Sequence, residues 1–206
     1  MPRRTWPNIV LTGTPGVGKS THATQLHARL PALEQIDVTS LCKSHHFTLN
    51  YDEEWDTFEV DEDKLLDCLE EKCGFEPVEV EGEGEGEDGG NVQEDEKEKE
   101  RNGGTILDWH TCDAYPERWV DLVVVLTCDH AILWKRLEKR NYPLAKIQEN
   151  NSAEIMQVVL SEAHEAYDEQ IVVALKSENA EQVEENVERI VAWVDAWRRQ
   201  RGLSGV

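Results

Sequence analysis

An α/β fold, with a parallel sheet covered by helices on both faces, is predicted from three observations. Short apolar runs alternate with segments of helical spacing along the chain. The runs at Ile9–Leu11, Ile106–Leu107 and Leu122–Leu126 are almost continuously apolar, as strands buried on both faces must be. A glycine-rich segment joins the first strand directly to the first helix.

The first strand is expected at Asn8 to Thr12. From Ser20, Ala23, Leu26 and Leu30 recur at helical spacing, and Pro31 ends the helix because it cannot donate to the ladder. A short strand is expected near Ile36 to Val38, and a helix from Asp61 after a polar, aromatic stretch. Residues 79–101 alternate Glu with Gly and lack apolar periodicity, so this acidic insert is expected to be disordered. Structure resumes with strands at Thr105 to Asp108 and Leu122 to Leu126 and a helix between Asp129 and Arg140 carrying Leu133, Trp134 and Leu137. Asn151 and Glu154 have the spacing of a capping pair, which predicts a long helix opening there and running to about Gln170. A last strand is expected at Val172 to Lys176. The terminal helix comes next, with Val183, Val187, Ile190, Val194 and Trp197 as its apolar stripe; Trp193 and Trp197 are read as packing residues.

The 206 residues suit one domain, 1–206, once the insert is set aside. No apolar run approaches the length of a membrane span, and the first residues lack the apolar core of a secretory signal. Five cysteines without paired spacing suggest neither a disulfide framework nor a zinc site, and fit a reducing compartment. A net charge of −22 argues against a phosphate-backbone binding surface, so no direct nucleic-acid patch is expected; it favours a basic partner, or serves only solubility. Residues 79–101 account for −8 of that charge and the rest of the chain for −14.

Chemistry concentrates in GTPGVGKST, residues 13–21, which fills the pattern G-x-x-x-x-G-K-[ST] between a strand and a helix. Glycines let backbone N–H groups close around phosphate oxygens, and the helix N-terminus adds its positive end. Gly16 and Gly18 belong to this cradle, Lys19 neutralises the β- and γ-phosphates of ATP, Ser20 reaches Mg²⁺, and Thr21 is placed to touch the α-phosphate. Asp108 ends an apolar strand at the sheet edge where such folds bind ligands. It either orients Mg²⁺ or caps the next helix. His110, two residues on, faces the same side of an extended chain, and either orients a water or acceptor phosphate or is structural. Arg136 and Arg140, one helical turn apart, either deliver guanidinium groups to phosphates or are surface ion-pair residues.

Five runs together are similar to one family: GTPGVGKST, YDEEWD, DEDKLLDCLE, ILDWHTCDAYPERW and RLEKRNYPLAKIQENNSAEIMQVVLSEA. They resemble the adenylate kinase isoenzyme 6 family, also described as a coilin-interacting nuclear ATPase. The resemblance spans nearly the whole chain apart from the insert, and the D-x-H-x-C-D-x-x-P-E-R-W run from Asp108 to Trp119 is its most specific part. It implies a P-loop NTPase of nucleoside monophosphate kinase-like, three-layer architecture, with an NMP-binding arm over 37–60 and a short lid over 139–150. By position it implies Gly16, Gly18, Lys19, Ser20, Thr21 and Arg140 for ATP, Asp37 and Lys43 for the NMP, and Asp108 and His110 as the catalytic D-x-H motif. Lys43 and Ser40 stand where related members carry Arg and Asp, and Lys cannot make the bidentate phosphate contact of Arg. Transfer from ATP to AMP and slow ATP hydrolysis are implied, with Mg²⁺ as cofactor. So are a nuclear and cytoplasmic location, a role in late small ribosomal subunit maturation, and a basic small-subunit ribosomal protein within the pre-40S particle as partner.

Overall fold

The computed structural model describes residues 4–52, 57–74 and 104–206. The 79–101 insert lies outside them. At the centre of a five-stranded sheet is β1 (Ile9–Thr12), flanked by β5 (Thr105–Asp108) and β6 (Leu122–Thr127). Beyond these lie β2 (Glu34–Asp37) next to β5 and β7 (Val172–Lys176) next to β6, and every neighbouring pair is parallel. Successive side chains of a strand point to opposite faces. Ile9, Leu11, Ile106, Val124 and Leu126 therefore enter one core, and Val10, Leu107, Val123 and Val125 the other. This is why the central strand sequences are apolar at nearly every position.

The first core is closed by α1 (Lys19–Arg29), α4 (His130–Lys139) and α7 (Ala180–Gln200) through Leu26, Leu133, Leu137, Val187, Ile190 and Val194. The second is closed by α2 (Val38–Ser44), α3 (Glu62–Cys73) and α6 (Val158–Ala166) through Val38, Cys42, Leu65, Leu69 and Ala163. Burying each large aliphatic side chain among them contributes roughly 1.5–3 kcal/mol. Side-chain caps set several helix starts: Asp61, Asp129 and Asn179 accept from backbone N–H groups of Lys64, Ala131 and Gln182. Among the described residues no helix is long and apolar enough to cross a membrane.

Three features depart from expectation. The strand expected near Ile36 to Val38 is Glu34–Asp37, because the Asp37 side chain accepts from the Ser40 N–H and opens α2 at Val38. Thr48–Asp52 (β3) and Thr57–Val60 (β4) pair antiparallel as a separate two-stranded sheet, with the Tyr51 and Phe58 rings 4.8 Å apart. Its polar, aromatic sequence gave no clear strand signal. The single long helix expected from Asn151 is instead two helices, α5 (Leu144–Ile155) and α6. Asn151 and Glu154 do not cap a helix start. Pro143 precedes the first helical residue, where a ring with no N–H costs nothing, so the helix opens at Leu144, ahead of Asn151. Asn151 is buried mid-helix and donates to the Ile147 carbonyl at 3.1 Å, the back-bond available to any interior Asn. The break falls at Gln157, whose φ of 53° is left-handed, and α6 stops at Ala166 rather than Gln170.

Helix α1 buries His22 completely. Its Nδ1 lies 3.0 Å from the Gly18 carbonyl and its Nε2 3.3 Å from the Asn186 amide nitrogen, itself bound to the Lys176 carbonyl. Only a neutral ring with its proton on Nδ1 satisfies both neighbours. Burial, aided by the Arg136 charge, holds the pKa below its ordinary value of 6.5. The unfolded chain then takes up a proton near pH 6.5 while the folded chain does not, so acidification favours unfolding. Stability measured by urea titration should fall as pH drops from about 7 to about 5, and His22→Gln should fall less steeply; identical slopes would remove His22 as a source of acid sensitivity.

Candidate active site

The loop between β1 and α1 is built with its acceptors turned into the protein. Gly13, Gly16 and Gly18 have φ of 139°, 98° and 111°, a region that side chains other than glycine rarely enter. At Gly13 a Cβ would also lie 2.5 Å from the Leu126 carbonyl oxygen. The Gly16 and Val17 carbonyls accept from Arg136 at 3.4 and 3.3 Å, and Val17 also accepts from the Ser177 hydroxyl at 2.6 Å. Arg136 further donates to the Ser177 and Glu178 carbonyls, both at 2.8 Å. It is thus neither a phosphate-facing arm nor a surface ion-pair residue, but the brace behind the loop. Among the described residues no side chain caps the start of α1, so its N-terminal N–H groups suit an anion.

Charged groups gather at the carboxyl edge of the sheet. Lys19 donates to the Gly13 and Thr14 carbonyls at 2.7 and 3.3 Å. Burial lowers its pKa to about 8; the Arg140 charge adds to this, while Asp108 and Glu154 oppose it. Asp108 is 4% exposed, and its Oδ2 has no hydrogen-bond partner among the described residues. Burial raises its pKa, the more so because Asp37 stands beside it in strand register, while Ser20 and Lys19 oppose the rise. An orphaned buried carboxylate oxygen beside a hydroxyl is a hard-oxygen donor pair suited to Mg²⁺, so Ser20 and Asp108 fit that cation. His110 opens onto the cleft, its ring edge-on to Trp109 at 5.4 Å. The surrounding protein, followed by the Lys19 and Lys146 charges, lowers its pKa below the ordinary 6.5.

Three adjoining cavities share these groups. One of about 620 Å³ holds Gly16, Lys19, Ser20, Asp37, Asp108 and Glu149. A second, about 390 Å³, is bounded by Lys43, Thr48, Phe58 and Val60 from α2 and the hairpin. Thr39, Trp109, His110, Arg140, Tyr142 and Lys146 line both. A third, about 490 Å³, lies behind the loop against Gly18, Thr21, Arg136, Asn179 and Val183, and Arg140 borders all three.

Lys19, Ser20, Asp108, His110 and Arg140 are therefore brought together, with Thr21 on the far side of the loop. Asp37 and Lys43 are separated. Asp37 lies in the larger cavity as the cap of α2, accepting from the Ser40 N–H at 3.0 Å and hydroxyl at 2.8 Å, whereas Lys43 faces the smaller one. The reason is topological: Asp37 ends β2 at the register of Asp108, so it belongs to the phosphate edge. Sequence reasoning missed Tyr142 and Lys146, whose ammonium lies 5.3 Å from the Tyr142 ring centroid. The available signal was that Lys146, Glu149 and Asn150 recur at helical spacing after Pro143, and all three border the larger cavity.

A family profile described as AAA domain matches residues 9–157. The chain is 45% identical over 196 residues to an adenylate kinase isoenzyme 6 homolog of Schizosaccharomyces pombe, covering 95% of this chain and 96% of that one. Identity to the Saccharomyces cerevisiae homolog is 40% over 198 residues, covering 96% and 87%. For the Drosophila melanogaster homolog it is 33% over 194 residues, covering 94% and 95%. Among solved structures, a shikimate kinase from Bacteroides thetaiotaomicron matches with a TM-score of 0.50 at 14% identity over 93% of this chain and 97% of its own, a likeness of fold.

The loop geometry yields a direct test. Gly13→Ala should lower stability by about 2 kcal/mol or more, from the strained φ and the collision with the Leu126 carbonyl. It should also abolish ATP binding measured by calorimetry. Wild-type affinity in this variant would show that the loop does not depend on the Gly13 conformation.

Proposed function

The chain belongs to the adenylate kinase isoenzyme 6 family, and on that premise we propose that it transfers the γ-phosphoryl group of ATP to AMP and hydrolyses ATP more slowly. We place this activity in the nucleus and cytoplasm, in late maturation of the small ribosomal subunit. The single observation that carries the kinase reading is the shared wall: a phosphate-binding cavity and a second cavity meet at His110, Arg140, Tyr142 and Lys146. In-line transfer needs donor and acceptor phosphates to face each other across such a seam.

In this reading the loop and Lys19 hold the β- and γ-phosphates, and the third cavity, beside Thr21 and Asn179, takes the nucleoside of ATP. Mg²⁺, held by Ser20 and Asp108, would neutralise charge on the phosphate oxygens. Arg140 and Lys146 supply positive charge where the phosphoryl group passes. His110, on the seam between the two cavities, orients a reacting group by hydrogen bonding. AMP fits the smaller cavity, with its phosphate toward the seam and its base toward Phe58 and Val60.

A second reading, chiefly an ATPase assembly factor, is favoured by Lys43, which offers an acceptor phosphate a point charge rather than a guanidinium fork. The net charge of −22 supports a basic small-subunit ribosomal protein on the pre-40S particle as its partner. The two readings separate in product analysis with Mg-ATP, with and without AMP. Consumption of AMP with a twofold yield of ADP and little free phosphate supports the kinase; phosphate release that dominates and responds to the ribosomal protein supports the assembly factor.

Lys146→Ala should cut kcat for transfer to AMP by about tenfold or more while leaving the KM for Mg-ATP within about threefold, because its charge acts at the seam. An unchanged kcat would place Lys146 outside the reaction.

A further inference from the structure

Glu154 lies in the last turn of α5, in a place where its own helix does not favour it. The C-terminal end of a helix is negative, and no basic residue of α5 lies in that turn to offset a carboxylate. The groups that hold it there come from outside. Its Oε2 accepts from the Thr14 hydroxyl at 2.6 Å, and its Oε1 accepts from the backbone N–H of Cys128 at 2.7 Å. Thr14 is a buried residue of the phosphate-binding loop after β1, and Cys128 opens the loop after β6, so the two oxygens join neighbouring loops at the edge of the sheet. The helix that carries Glu154 also carries Lys146, Glu149 and Asn150, which line the larger cavity.

A negative charge beside the phosphate site opposes an incoming polyphosphate. Its charge repels the incoming anion directly while supporting the charge on Lys19, and its two hydrogen bonds to neighbouring loops add a geometric role. We propose that Glu154 is a positioning residue for nucleotide binding, clamping the phosphate-binding loop through Thr14 to the loop after β6 through Cys128, so that α5 sets the shape of the phosphate site.

The inference rests on the loop being the nucleotide site, which a separate arm of the test checks: Lys19→Ala must abolish Mg-ATP binding. Glu154→Ala should raise the Kd for Mg-ATP about tenfold, the weight of charge-assisted hydrogen bonds lost from a partly buried clamp. Glu154→Gln, which keeps length and an acceptor for the Cys128 N–H, should stay within about threefold of wild type. Thr14→Val, removing only the hydroxyl donor, should weaken binding in the same direction, and Glu154→Ala with Thr14→Val should be no weaker than Glu154→Ala alone. In steady state the KM for Mg-ATP should rise and the KM for AMP should not. Tighter binding in Glu154→Ala or Glu154→Gln would make the residue's role electrostatic and overturn the clamp. Additive effects of the two substitutions would overturn it as well, as would an equal rise of both KM values accompanied by a lowered Tm. Retained binding in Lys19→Ala would overturn the nucleotide-site assignment itself.

Discussion

The phosphate-binding loop works only if its carbonyls are satisfied from behind. A loop that turns N–H groups toward a ligand must turn acceptors inward, where an unpaired carbonyl costs about 1–3 kcal/mol. Arg136 and Ser177 meet that requirement for Gly16 and Val17, and His22 faces the carbonyl of Gly18. These donors come from α4, from the end of β7 and from α1. The positions of those elements are therefore tied to the loop as firmly as its glycines are. Gly18 shows the same dependence sterically: a Cβ there would lie 2.9 Å from the Ser177 hydroxyl oxygen that braces its neighbour.

On its open side the loop faces charges that have been taken out of water before any ligand arrives. Burial draws Lys19 down to about 8 and raises Asp108, so each favours its neutral form more than it would in solution. A polyphosphate with a divalent cation would favour the charged form of both by giving each a partner of opposite sign. The unpartnered oxygen of Asp108 is the part of the site that the described residues leave unsatisfied. A site arranged this way holds its charges in place in advance, which is what electrostatic stabilisation of a transferring phosphoryl group requires.

The second cavity is assembled differently. Its walls are the exposed hairpin and α2 on one side and the turn between α4 and α5 on the other, with Asn141 in the left-handed region at a φ of 57°. Tyr51 and Phe58 are about half exposed there and pack on each other, so the hairpin is held by few core contacts. The better anchored half of the cleft is thus the phosphate edge, and the less anchored half is the hairpin side.

Local sequence determined the features that depend on short-range rules. The buried strands, the loop of glycines before Lys19 and the stripe of α7 come from continuous apolarity, turn conformation and helical period, all readable within about ten residues. Lys19, Ser20 and Asp108 were legible because each sits at the end of a strand or the start of a helix, where position along the chain implies position at the sheet edge. Tertiary structure alone decided the rest. Asp37 lies beside Asp108 and apart from Lys43 because of strand register, and Arg136 turns to the back of the loop because the carbonyls there need donors. Glu154 and Asn151, which match a capping pair in sequence, sit inside α5 because Pro143 starts that helix earlier and because donors 26 and 140 residues away in the chain hold the carboxylate of Glu154. No local pattern can contain such partners, since they become neighbours only when the sheet brings its loops to one edge.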